Sequence, residues 1–101
     1  MRLGIQLGNG LDPDGSLRGL LEIAVRIEQL DFDSLWMASI FNYDPMTVMS
    51  MIAQKTSRIE LGTAVAVSYS RQPMIMAQQA LTVNEASNNR FALGIGVSHE
   101  F

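Results

Sequence analysis

Arg58-Ile59-Glu60-Leu61-Gly62-Thr63-Ala64-Val65-Ala66-Val67 decides the fold of this chain. The run reads as a buried strand that passes into a glycine and then into small residues at its C-terminal end. In α/β proteins that end of a strand is where ligands bind. Arg71-Gln72-Pro73 opens a helical run, because proline suits a first helical turn. That run ends at a second glycine-containing strand, Phe91-Ala92-Leu93-Gly94-Ile95-Gly96-Val97. Strand, loop, helix and strand make a βαβ crossover, which is right-handed in nearly all cases.

The same alternation extends upstream. Leu3 to Gly8 is short, apolar and closed by glycine, which suits a buried strand, and turn residues follow to Gly15. Ser16 is a good N-cap, and Leu17, Leu20, Leu21, Ala24, Ile27 and Leu30 form one apolar stripe behind it. Asp31 stands where that helix must stop, a place where glycine would be easier. Ser34 to Ala38 is the second strand. Asp44-Pro45 is the strongest helix start in the chain, with Met46, Met49, Ile52 and Ala53 as the buried face. The helix opened by Pro73 places Ala77, Ala80, Leu81 and Val83 or Asn84 near its seam, and Asn88-Asn89 can supply a left-handed C-terminal residue. The order is β-α-β-α-β-α-β, with strand starts roughly 30 residues apart, the repeat of a (β/α)8 barrel of about 250 residues. The expected fold is therefore α/β: residues 1–101 form a single domain that matches the first half of a TIM barrel, with four parallel strands and three connecting helices. A small open doubly wound sheet is the alternative.

Bulk properties narrow the function. The chain has 101 residues, enough for one ordinary core and no more than one domain. A net charge of −3 gives no electrostatic reason to bind nucleic acid, and no Lys/Arg run points to an anionic membrane surface. Absence of cysteine excludes disulfides and thiolate metal sites. The apolar start is too short for a signal segment, so a cytoplasmic protein is the expectation. Gly94-Ile95-Gly96 lacks the third glycine of a dinucleotide fingerprint, and no lysine or serine follows Gly8-Asn9-Gly10 at phosphate-loop spacing. Met46, Met49, Met51, Met74 and Met76 lie at helical spacings and read as core filler. Asp12, Asp14 and Asp44 are explained by turn and cap roles, not by a metal.

Several short motifs occur together in order: the strand with Trp36, Asp44-Pro45, Leu61-Gly62-Thr63-Ala64-Val65, Arg71 and Pro73 followed by Ala77-Gln78-Gln79, and Asn89-Arg90-Phe91 leading into Leu93-Gly94-Ile95-Gly96. With them the whole chain resembles the bacterial luciferase-like flavin monooxygenases, in particular the branch that uses the deazaflavin coenzyme F420. The resemblance implies an oxidoreductase or monooxygenase with a TIM-like barrel. Coenzyme F420 or FMN would sit at the C-terminal ends of the strands, and hydride would pass between its ring and a small organic substrate. It also implies a bulge at the end of the third strand, with a non-proline cis peptide joining Ala64 and Val65 whose backbone supports the ring. His99, the sole histidine, falls where family members place a proton-transferring or ring-contacting side chain, and an unperturbed imidazole titrates near 6.5. Its plain alternative is an exposed surface histidine. Ser98 is placed to donate to a cofactor carbonyl, or is a turn residue.

Ser39 stands where many family members carry a carboxylate followed by histidine, here Ser39-Ile40. That departure removes the groups on which sugar-phosphate dehydrogenase chemistry relies, and leaves Ser39 as a hydrogen-bonding partner for the cofactor. Phe41, Asn42 and Tyr43 would face the substrate or simply pack. Arg71, two residues before Pro73, reads as a structural clamp before a phosphate ligand. A different class of reading is an inactive half barrel acting only through self-association. Strands one and four are open edges, and two copies could close an eight-stranded ring as a homo-oligomer. A small flavodoxin-like domain is disfavoured, since the first loop lacks a hydroxyl-rich phosphate pattern.

Overall fold

The computed structural model describes residues 2–7, 16–38, 43–64, 66–67 and 72–96. Along the chain lie β1 (Gly4–Leu7), α1 (Leu17–Gln29), β2 (Ser34–Met37), α2 (Pro45–Lys55), β3 (Glu60–Thr63), β4 (Ala66–Val67), α3 (Pro73–Ala86), β5 (Phe91–Ala92) and β6 (Ile95–Gly96). Strands β1, β2, β3 and β5 form one parallel sheet in that order, and β4 pairs with β6, also parallel, in a second. The expected third and fourth strands are thus present and parallel, but each is broken in two.

Local chemistry fixes the helix ends. The Ser16 hydroxyl accepts from the Gly19 amide at 2.9 Å, and Asp44 Oδ2 accepts from the amide and the hydroxyl of Thr47 at 2.9 and 2.8 Å. The Gln72 side chain caps α3 by accepting from the Ile75 amide at 3.2 Å. Pro45 and Pro73 occupy first-turn positions, where the missing N–H costs nothing. Asp31, Asn88 and Asn89 take the left-handed conformation, with φ of 66°, 57° and 66°, and stop α1 and α3 as expected.

Strand register sorts side chains onto two faces. Leu7, Leu35, Met37 and Leu61 point to the helices and are buried with Leu20, Ala24, Ile27, Met46, Met49, Ile52 and Val83. Gly4, Gln6, Ser34, Trp36, Glu60, Gly62 and Ala92 share the opposite face, which in a (β/α)8 barrel lines the interior. On that face the Trp36 indole lies across two glycines. A Cβ on Gly62 would overlap the indole, with Cε3 at 2.5 Å, and one on Gly4 would sit 3.1 Å from Nε1. Indole Nε1 donates to Ser34 Oγ at 2.9 Å.

The expected face of α3 needs correction. Met76 and Val83 are buried, but Ala77 is exposed, Leu81 is 70% exposed and Met74 67%. Leu30 lies past the end of α1 and is exposed as well. The main packing partners of α3 are α2 and β5, which leaves its other flank uncovered. Among the described residues no helix is long and apolar enough to cross a membrane.

The N-terminal edge of the sheet is lashed by two charged side chains. The Glu28 carboxylate accepts the amides of Ser57, Arg58 and Ile59 at 3.0, 2.8 and 3.0 Å. Desolvation pushes its pKa up, but the three amides and the Arg58 guanidinium together outweigh it and hold the pKa below the ordinary carboxylate value. Arg90 donates to the carbonyls of Ser87, Ile59, Ala53 and Thr56 and to Thr56 Oγ1, at 2.6 to 3.2 Å. Its guanidinium thereby joins the ends of α2 and α3 to β3. Burial pulls the Arg90 pKa below its usual value, opposed by Glu28.

A carboxylate with a depressed native pKa stabilises the fold above its unfolded pKa and stops doing so as pH falls through the native value. Urea midpoints should therefore drop below about pH 4.5. Glu28→Gln should cost about 1 kcal/mol at pH 7, the exposure of the site limiting the effect, and should flatten the acid limb. An unchanged acid limb in that variant would refute the role. Gly62→Ala should cost roughly 1–3 kcal/mol by forcing the indole aside, and much less in a Trp36→Ala background. Urea melts of the four chains of this cycle measure the coupling, and additive losses would contradict it.

Candidate functional site

The break in the third strand is a change of register. Leu61 and Gly62 pair with Phe91 and Ala92, thirty residues further on, whereas Ala66 and Val67 pair with Ile95 and Gly96, twenty-nine further on. One extra residue therefore sits on the third strand between the two ladders, which defines a β-bulge. The bulge falls at the C-terminal end of β3, where the resemblance places one.

Thr63 closes the gap. Its hydroxyl donates to the Gly94 carbonyl and accepts from the Gly94 amide, both at 2.9 Å. On the other side the Ala64 amide donates to the Met37 carbonyl at 2.9 Å. Thr63 is 1% exposed, while Ala64, the next residue, is exposed. A methyl-sized side chain thus sits on a backbone clamped from β2 on one side and from the Leu93–Gly94 link on the other. Bulges of this kind at strand ends re-aim the chain next to active sites.

Of the expected site residues, Ala64 is placed at this bulge. Ser39, Val65, Ser98 and His99 lie outside the described residues, as do Phe41, Asn42 and Arg71. Tyr43 is exposed just before the Asp44 cap, in the loop that follows β2. Glu28 and Arg90, whose pKa values are shifted, sit at the opposite, N-terminal edge of the sheet, where they serve stability. Among the described residues no cluster of His, Cys, Asp or Glu could hold a metal ion.

Two contributors escaped sequence reading. Thr63 reads as one more strand residue, and its only sign is a hydroxyl inside an apolar run. Trp36 reads as a strand residue too, and its seat on Gly4 and Gly62 follows only from the pairing of three strands.

An uncovered small side chain on a rigid bulge, with inward-facing glycine and indole beneath, fits a flat ring laid against backbone. Known proteins share this sequence pattern and fold. The model of the family described as luciferase-like monooxygenase matches residues 1–101. The F420-dependent glucose-6-phosphate dehydrogenase of Amycolatopsis mediterranei is 33% identical over an alignment of 89 positions that covers 78% of this chain and 27% of that protein. The coenzyme F420 dependent tetrahydromethanopterin reductase of Methanopyrus kandleri superposes with a TM-score of 0.81 at 29% identity, covering 94% of this chain and 26% of that one. The oxygenating constituent of 3,6-diketocamphane monooxygenase from Pseudomonas putida, solved with FMN, shares the fold with a TM-score of 0.86 at 18% identity, over 99% of this chain and 30% of that one. The chain spans between about a quarter and a third of the length of these proteins. Its four parallel strand positions and three helices are the first half of the same TIM barrel, and the chain belongs to the luciferase-like monooxygenase family.

Proposed function

We propose that this chain forms the ring-holding strand ends of an oxidoreductase that works with coenzyme F420 or FMN on a small organic substrate. The observation that carries the reading is the one-residue bulge after Thr63, which leaves Ala64 exposed on a clamped backbone. Relatives named for F420 and a structural neighbour solved with FMN support both cofactor choices.

The bound ring supplies the hydride chemistry. Ala64 and Val65 give it a backbone shelf, which the small side chain of Ala64 lets the ring approach. Ser39 and Ser98 hydrogen-bond its polar edge, and His99 holds or moves a proton at the reacting face, an imidazole being suited to that near neutral pH. Trp36 covers Gly62 on the sheet's inner face, two residues before Ala64. Residues 1–101 are a partial, N-terminal half of a cytoplasmic barrel domain that contributes these roles.

A second reading is a half barrel that acts by self-association without catalysis. It is favoured by the apolar side chains Met74, Ile75, Leu81, Leu93 and Ile95, which are exposed on α3 and around β6. Two copies meeting there would bury them. Sedimentation at tens of micromolar decides this point, and a strict monomer removes the reading.

Titration with oxidised FMN and with F420, read by ring absorbance and fluorescence, should give a saturable change for the chain alone or complemented by the remaining strands of a relative. Ala64→Leu should weaken it at least ~10-fold, equivalent to about 1.4 kcal/mol. Silence from both ligands at high micromolar concentration, in both settings, would falsify the proposal. In the complemented protein His99→Ala should lower turnover by about 10²–10⁴; retained turnover would strike His99 from the mechanism.

A further inference from the structure

We propose that Thr63 is a positioning residue, whose hydroxyl holds the Ala64 bulge in the shape that accepts the ring; this rests on the function proposed above. The extra residue in the third strand breaks the parallel ladder between the Gly62–Ala92 pair and the Ala66–Ile95 pair. Backbone groups at such a break lose their regular partners. Gly94 lies in the break on the fourth strand, and both its amide and its carbonyl are satisfied by one atom, Thr63 Oγ1, at 2.9 Å each. A hydroxyl is the smallest group that can donate and accept at once. It therefore does for Gly94 what a neighbouring peptide would do in an unbroken ladder.

The consequence reaches Ala64 directly. Thr63 and Ala64 share a peptide, and the Ala64 amide is already committed to the Met37 carbonyl at 2.9 Å. With Thr63 anchored to Gly94 and Ala64 anchored to Met37, the backbone leading into the bulge is held from both neighbouring strands. Thr63 itself is 1% exposed and cannot reach a ligand. Its effect on ring binding must pass through the backbone it holds.

Thr63→Val keeps the side-chain shape and removes the hydroxyl, while Thr63→Ser keeps the hydroxyl. Ile52→Val, a core change on α2 away from the bulge, controls for a general loss of stability. Amide exchange followed by NMR should show Gly94 losing protection in Thr63→Val and keeping it in Thr63→Ser, with Leu35 and Gln6 unchanged in both. Titrations with FMN and F420 should give at least a tenfold weaker Kd for Thr63→Val and values within about twofold of the parent chain for Thr63→Ser and Ile52→Val. Unchanged Gly94 protection in Thr63→Val overturns the clamp whatever the ring does. An unchanged Kd in Thr63→Val, with the parent binding, overturns the positioning role alone. Absence of binding by the parent, both alone and complemented by the remaining strands of a relative, overturns the function proposed above, and the positioning role falls with it. Equal weakening in Ile52→Val assigns the effect to stability and also overturns the role.

Discussion

A mismatch of one residue between the third and fourth strands governs this structure. Parallel ladders transmit register along the whole sheet, so a single extra residue cannot be absorbed by a local shift of side chains. Here it is taken up at one point, between Gly62 and Ala66, and Ala66 and Val67 beyond it belong to a separate pairing with Ile95 and Gly96. The cost is two backbone groups of Gly94 turned away from any regular partner. Thr63 meets that cost from within the strand itself.

The two edges of the sheet are built from different chemistry. At the N-terminal edge, Glu28 gathers three consecutive amides and Arg90 reaches five acceptors, so ionised groups tie helix ends to strand starts. At the C-terminal edge the described clamps are neutral: a hydroxyl, a glycine peptide and a carbonyl. Among the described residues, the ionised lashings thus lie at the end of the sheet away from the Ala64 bulge. TIM-barrel proteins commonly divide stability and chemistry between their two faces in this way.

Much of the architecture was legible in the residues. Ser16, Asp44-Pro45 and Pro73 announce helix starts because capping is local chemistry, and Asp31 and Asn88-Asn89 announce the stops for the same reason. The split in strands three and four was not legible from pattern, since an apolar run looks the same whether its register is continuous or shifted. The seam of α3 was misjudged because apolar residues surround that helix, from Met74 to Met76 and from Ala80 to Leu81, and no stripe stands out. At the site, Ala64 came from family resemblance, not from periodicity. Thr63 and Trp36 gain their meaning from partners about thirty residues away, which one strand's sequence does not reveal.

The uneven cover over the methionines has a chemical consequence. Met46 and Met49 are 1% and 0% exposed, whereas Met74 stands 67% open on α3. Thioether oxidation follows access, so peroxide reaches Met74 well before the buried sulfurs of Met46 and Met49. The sulfoxide formed there puts a polar, chiral S=O on an apolar helix flank and leaves the core thioethers intact. Oxidative damage to this chain therefore begins as a surface lesion, one that methionine sulfoxide reductases can reach and repair without unfolding it.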